Sequence, residues 1–309
     1  MSTFESRKKQ RELNEKLIKF ALISAAAISI LTTFGILFSI LFEAIEFFKL
    51  RSFWYFITGT TWSPGVIDSQ FGALPIFAGT FVITVIALGV AIPIGLGSAI
   101  YMSEYASPKL RDYLKPLLEV LAGIPSVVYG FFAAITVAPL VVKAAEMVGL
   151  EATFNSALAS GIVMGIMIIP TISSLSDDVI RAVPDSQRKA AFGLGMTHGE
   201  TIKDIVLPSA MPGIISASLL ALSKALGETM VVVMAAGLRP NLSWNPLEDM
   251  TTVTVTIVNA LVGDFEFSSP ETLSAFALGL VLFVVTLILN MISLSLIRKF
   301  KEKYKVNTL

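Results

Sequence analysis

Cysteine is absent from this chain, which removes disulfides, thiolate metal sites and cysteine nucleophiles together. Histidine occurs once, at His198, with no second histidine to share a metal; it reads as a surface or interface residue and not as a ligand. Charge is scarce too: 15% of residues are charged against 54% hydrophobic, and the formal net charge is zero. With no basic strip, the chain offers nucleic acid no electrostatic footprint. The GxxxxGK[ST] loop that cradles nucleotide phosphates is also missing, so nucleotide binding of that kind belongs to some other chain. At a mean hydropathy of +0.77, 309 residues are far too apolar for a soluble domain, and the chain reads as a membrane protein.

What is present is a series of long apolar runs. At about 1.5 Å per residue, roughly 20 helical residues cross a hydrocarbon core of about 30 Å. Runs at 20–42, 74–102, 120–142, 152–176, 211–238 and 272–297 are sufficient, and they predict an all-α polytopic protein with about six transmembrane helices. The first run is longer than a signal-peptide core and has no small-residue cleavage site, so it reads as a retained span. If both termini are cytoplasmic, the inside segments hold eighteen of the 23 Lys and Arg residues, the outside segments hold only Lys49, Arg51, Lys143 and Arg239, and Lys224 falls within a span. The positive-inside rule therefore orients the chain. The expected division is a cytoplasmic segment at 1–19, a membrane domain at 20–297 containing a cytoplasmic loop at 177–208, and a basic cytoplasmic tail at 298–309. Topology and anionic lipid together account for that tail.

The loop is the most informative stretch. From Pro184 it reads PDSQRKAAFGLGMTHGETIKDIVLP, with charges interleaved among short apolar patches, as in short helices. Gly193 and Gly195 allow a sharp turn between two of them, and Pro208 and Pro212 mark the start of the next long helix. Taken alone, this fits any amphipathic surface segment. The spacing adds more: Lys189 before Ala190 and Ala191, Gly195 four residues on, then Ile205, Leu207 and Pro208, resembles the cytoplasmic "EAA" loop of ABC-transporter permeases, which docks into a groove on the ATPase. Lys189 stands where that family has Glu, so one polar contact differs. Further blocks, FITGTTWSP, FGALPIFAGT, AIPIGLGSAIYMSEYA, LAGIPSVVYGFF and ALGETM, resemble the phosphate-specific permeases, nearer the PstC-type than the PstA-type subunit, over about 53–230.

That resemblance implies a type I, MetI-like importer architecture and a non-enzymatic subunit in the cell membrane. It implies a heterodimer with a PstA-type permease, two copies of an ATPase that uses the ATP, an extracytoplasmic phosphate-binding protein, and no cofactor bound by this chain. The alternatives are a permease for another oxyanion or small solute, and a stand-alone secondary transporter or channel. The last two would not need the docking loop.

Within the expected fifth span, Lys224 and Glu228 are the one chemically expensive feature. Charge near the bilayer centre costs at least a few kcal/mol and faces a bundle interior or a water cavity. Four-residue spacing predicts both on one helix face, beside a stripe of small residues, Gly213, Ala217, Ala221 and Ala225, that permits close helix approach. Two readings stay open. One is a buried ion pair that fixes packing, although Lys before Glu is the weaker order within a helix. The other is an oxyanion path, with Lys224 as a point charge and Glu228 as its balance, able to accept a hydrogen bond from the proton that phosphate retains and sulfate lacks. The resembling permeases tend to carry Arg where Lys224 stands.

Other features read as structural. Asp177, Asp178 and Arg181 are expected at a solvated helix end. Trp54, Tyr55 and Trp62 are expected at headgroup depth, with contact to a binding protein as the sharper alternative. Gly79, Gly89, Gly95 and Gly97 around Pro93, and Gly123 to Ser126, are expected to bend or pack helices. Trp244 and the acidic pair Asp264 and Glu266 are expected in a solvated outer loop.

Overall fold

In lipid every backbone N–H and C=O must be satisfied within the chain, and a helix does this segment by segment. The computed structural model follows that rule. It describes residues 2–65, 69–262, 266 and 268–303, with the side chains of 2–13 and 300–303 outside that description. Asp264 and the tail beyond 303 also lie outside it. Six helices in the described residues are long and apolar enough to cross a membrane.

Helix α1, Ser2–Leu50, is followed by the short α2, Phe53–Thr58, and by a two-stranded antiparallel ribbon of β1, Trp62–Ser63, and β2, Gln70–Phe71. Next comes α3, Leu74–Ile100, which widens into a π turn at Tyr101–Tyr105. An amphipathic helix, α4, Pro108–Ala122, precedes the third span, which is α5, Ser126–Phe132, a π turn, and α6, Ala138–Met147. The fourth span is α7, Ala157–Arg181. The short helices α8, Asp185–Gly193, and α9, His198–Thr201, lead through a third π turn, Ile202–Val206, into α10, Leu207–Leu226. The chain ends with α11, Met230–Ala235, α12, Val253–Val262, and α13, Pro270–Lys303.

The core forms where α3, α7 and α10 meet. Hydrocarbon does not drive helices together in lipid, so close approach through small residues does. A Cβ at Gly165 would stand 2.8 Å from the Ala87 carbonyl, and one at Gly95 would stand 2.9 Å from Ile172. The expected stripe on α10 packs in the same way: Ala217, Ala221 and Ala225 are buried, and a Cβ at Gly213 would collide with Val179. Gly89 and Gly97 face open space and carry no such contact. The Ser173 hydroxyl donates to Ser98 Oγ across α7 and α3 at 3.0 Å.

Three expectations are corrected. The third span begins at Ser126 and not at Val120, because Pro125 lacks an N–H and disfavours helix at the residue before it. The fifth span does not run through to 238: α10 stops at Leu226 and the chain restarts as α11 after Gly227. Trp62 is no headgroup anchor. It is buried in an aromatic cluster with Phe47, Phe56 and Phe71, while Trp54 is 74% exposed. The loop after α11 is laced to the start of α7, with Ser156 N–H donating to Ala235 O, Ala157 N–H to Glu248 O and Leu158 N–H to Pro246 O. In that loop, hydrogen bonds from Asn241, Ser243 and Asn245 hold Glu248 below the usual carboxylate pKa.

Candidate functional site

The loop between α7 and α10 is built by local chemistry. Helix α8 ends in a paired closure in which Met196 N–H donates to Ala191 O at 3.1 Å and Gly195 N–H donates to Phe192 O at 3.0 Å. This closure needs a left-handed residue after the helix, and Gly195 supplies it with φ +83°. Gly193 remains helical, so Gly195 alone makes the turn. Helix α9 then starts on a reciprocal cap: Thr197 Oγ1 accepts from Glu200 N–H, and Glu200 Oε2 accepts from Thr197 N–H at 2.8 Å. Those bonds hold Glu200 below the usual carboxylate pKa. The signal, a Thr followed three residues on by Glu, was present in the sequence and passed over.

The turn sorts the loop's residues. Ala191 is buried, and Ile205, Leu207 and Pro208 are half-buried. Leu207 packs with Ala99, Ile180, Val183, Val206 and Ala210, which roots the loop in α3, α7 and α10. Lys189, Ala190 and Gly195 are exposed. Beside them stand two large apolar side chains, Phe192 at 46% and Leu194 at 85% exposure. The surface is therefore an apolar lip with a rigid turn at its centre.

Beneath it lies a set of ion pairs that corrects the expected solvated helix end at Asp177, whereas Asp178 and Arg181 are exposed as expected. Asp177 is fully buried. The Arg111 guanidinium from α4 donates to it through Nη2 at 2.6 Å and Nε at 3.1 Å, both to Oδ2. The hydrogen bond to Asp177 outweighs burial and raises the Arg111 pKa above its ordinary value. Asp178 pairs with Lys115, and Arg188 of α8 pairs with Glu104 at 2.8 Å. None of Arg111, Lys115, Arg188 or Glu104 had been assigned these partners from the sequence. The ends of the Arg111 and Arg188 pairs stand 66 and 84 residues apart, and no local spacing reports that.

Lys224 and Glu228 are not brought together. Lys224 occupies the last turn of α10, where the negative end of the helix dipole favours a cation. Glu228 lies beyond the break at Gly227. Its Oε1 accepts from Met230 N–H at 3.0 Å and from Val231 N–H at 3.3 Å, so the carboxylate caps α11. The Thr254 hydroxyl donates to the Glu228 carbonyl at 2.7 Å and fixes the break to α12. With the helix interrupted, four-residue spacing no longer defines a shared face. No ion pair joins either residue to another described residue, and both are partly exposed. The packing ion pair is thereby excluded as drawn.

Residues 91–303 match the family described as binding-protein-dependent transport system inner membrane component. The chain belongs to that family. It is 31% identical over 303 residues to the probable ABC transporter permease protein YqgH of Bacillus subtilis, covering 97% of this chain and 95% of that one. It is 34% identical over 287 residues to the phosphate transport system permease protein PstC of Mesorhizobium japonicum, covering 86% and 84%. In fold it is similar to a solved bacterial ABC transporter involved in importing the acidic polysaccharide alginate, with a TM-score of 0.55 at 15% identity, over 86% of this chain and 96% of that one. The architecture is thus that of an ABC importer permease. Such a permease is multi-pass and is not itself an enzyme; ATP is used by a separate ATPase, and a substrate-binding protein is a further partner.

Proposed function

We propose that this permease is the PstC-type subunit of an ATP-driven phosphate importer. It pairs with a PstA-type permease, an ATPase in two copies and an extracytoplasmic phosphate-binding protein. Residues 1–19, the 177–208 loop and the 298–309 tail face the cytoplasm; 20–297 form the membrane domain. Lys189, Ala190, Ala191, Gly195, Ile205, Leu207 and Pro208 belong to the ATPase contact, with Phe192 and Leu194 as its apolar lip. Lys224 supplies the positive charge of the oxyanion path, and Glu228 stands across the helix break as a second, separate group.

The observation that carries this reading is Lys224, a cation within a span and without an ionic partner among the described residues. An ammonium in the last turn of α10 is favoured by the helix dipole, and its compact charge binds phosphate without a bidentate fork. A second reading, a permease for another oxyanion or small solute, is favoured by the B. subtilis relative, whose name specifies no substrate. Reconstituted complex supplied in turn with phosphate, sulfate and arsenate separates the two, and sulfate moved as well as phosphate rejects the first. Orientation is tested in this cysteine-free chain by Asn245→Cys, which should react with an impermeant thiol reagent on intact cells, and Ser6→Cys, which should not.

A further inference from the structure

Both short helices of the loop converge on one carboxylate. Glu104 sits in the π turn that ends α3, with its side chain only 6% exposed. Its Oε1 accepts from Arg188 Nη2 of α8 at 2.8 Å, and its Oε2 faces His198 Nε2 of α9 at 3.9 Å. The His198 ring stands edge-on to Tyr105, the residue after Glu104, and stacks on Phe192 of the exposed lip. Arg188 also donates to the carbonyl of Ile180 in α7 at 3.0 Å and to the carbonyl of Val183. It faces Asp185 of its own helix at 3.5 Å. Gly195 lets the two helices fold back on each other. Glu104 and Arg188 then lock that fold to the ends of the second and fourth spans.

We infer that Glu104 and Arg188 are a positioning pair that makes the docking loop move as one body with α3 and α7, so that force applied to the loop reaches the membrane core. The inference rests on the reading of this loop as the ATPase contact. A π turn on the α3 side fits that duty. Its extra residue rotates Glu104 relative to a regular helix, and a guanidinium that donates at once to a buried carboxylate and to two carbonyls resists shear in a way that apolar packing does not.

The test uses the reconstituted importer and two readouts: retention of the ATPase on purification, and solute imported per ATP hydrolysed. Glu104→Gln and Arg188→Met should keep the ATPase yet lower import per ATP by about tenfold, the usual scale of a coupling free energy. Arg188→Lys, which keeps the charge without the planar set of donors that reaches Glu104 and the two carbonyls together, should fall in between. Arg188→Met leaves Glu104 buried and unpaired, which endangers folding. The double variant Glu104→Gln with Arg188→Met removes that charge and should assemble, still uncoupled. An assembled double variant importing at the normal ratio overturns the inference. So does loss of the ATPase from Glu104→Gln, which would place the residue in docking itself. The parent reading is tested separately: an ATPase that stays bound when Phe192 and Leu194 are both changed to Asp sinks the docking surface.

Discussion

At the loop end of the bundle, Asp177, Asp178 and Glu104 each stand against an Arg or Lys, whereas Lys224, in the last turn of α10, and Glu228, beyond the break, meet neither each other nor any other described ion. The first group consists of charges that have already found their partners. Arg111, with two donors, and Arg188, with one, satisfy carboxylates removed from water, and the pairs join helix ends that the chain does not otherwise connect. The second group keeps charge in reserve. Glu228 is held by backbone N–H groups, and Lys224 lies at the end of its own helix, where the dipole favours a cation. Paired ions tie helix ends together here, whereas the proposed path rests on a cation that has no ionic partner among the described residues.

Four changes would break or sharpen that contrast. The largest effect is expected at the paired end. Asp177→Ala strips the largely buried Arg111 of its hydrogen-bonded carboxylate, leaving only Asp178 at 3.8 Å, and should destabilise the protein by about 3 kcal/mol, seen as a lowered Tm in detergent and reduced abundance in the membrane. Glu228→Gln, which keeps an oxygen to cap α11, should cost far less, and equal losses would erase the distinction. Next comes Lys224→Gln, expected to preserve assembly but cut phosphate import about 30-fold, the loss of one charge-assisted contact worth roughly 2 kcal/mol. Lys224→Arg should retain transport. Because no pair exists to be replaced, changing Lys224 and Glu228 both to Met should not restore import, and near-normal uptake by that double variant would refute the path.

Smaller effects separate the turn from its surroundings. Gly195→Leu forces a branched side chain into the left-handed region at about 1–2 kcal/mol and should weaken retention of the ATPase. Gly193→Leu, at a helical position with open space around it, should be tolerated; similar behaviour of the two would remove the turn from docking. The smallest effect concerns pH. Glu200 has its pKa lowered by the cap, so its contribution is complete above the ordinary carboxylate value and disappears as pH falls through the lowered one. Glu200→Ala should therefore lower Tm slightly at pH 7, with the gap to the parent closing in acid. A gap that persists in acid would mean that Glu200 does not act through its charge.

Much of this was readable in the sequence. The spans were visible because twenty apolar residues have one solution in lipid, and the turn at Gly195 was visible because glycine is the residue that takes a positive φ freely. Lys224 announced itself by its cost. The small stripe on α10 was found in the right place, although its partner, Val179, was not. Missed altogether were the end of α10 at Leu226, the burial of Trp62 and the partners of Asp177. For the helix break and for Asp177 the deciding neighbour lies far along the chain: Thr254 helps to fix the break, and Arg111 reaches Asp177 across 66 residues. Trp62 is covered by Phe56 and Phe71, which the ribbon and the short helix before it bring together.

Hydropathy, helix length, caps and left-handed turns depend on residues within a few positions of one another, and for this protein the sequence by itself determined the membrane class, the number of spans and the shape of the loop. Whether a charged group is paired or free depends on which helix ends are brought within about 4 Å, where electrostatic attraction overcomes desolvation. That distance is set by the packing of α3, α7 and α10, and only the tertiary structure decided which of the described charges are paired and which are not.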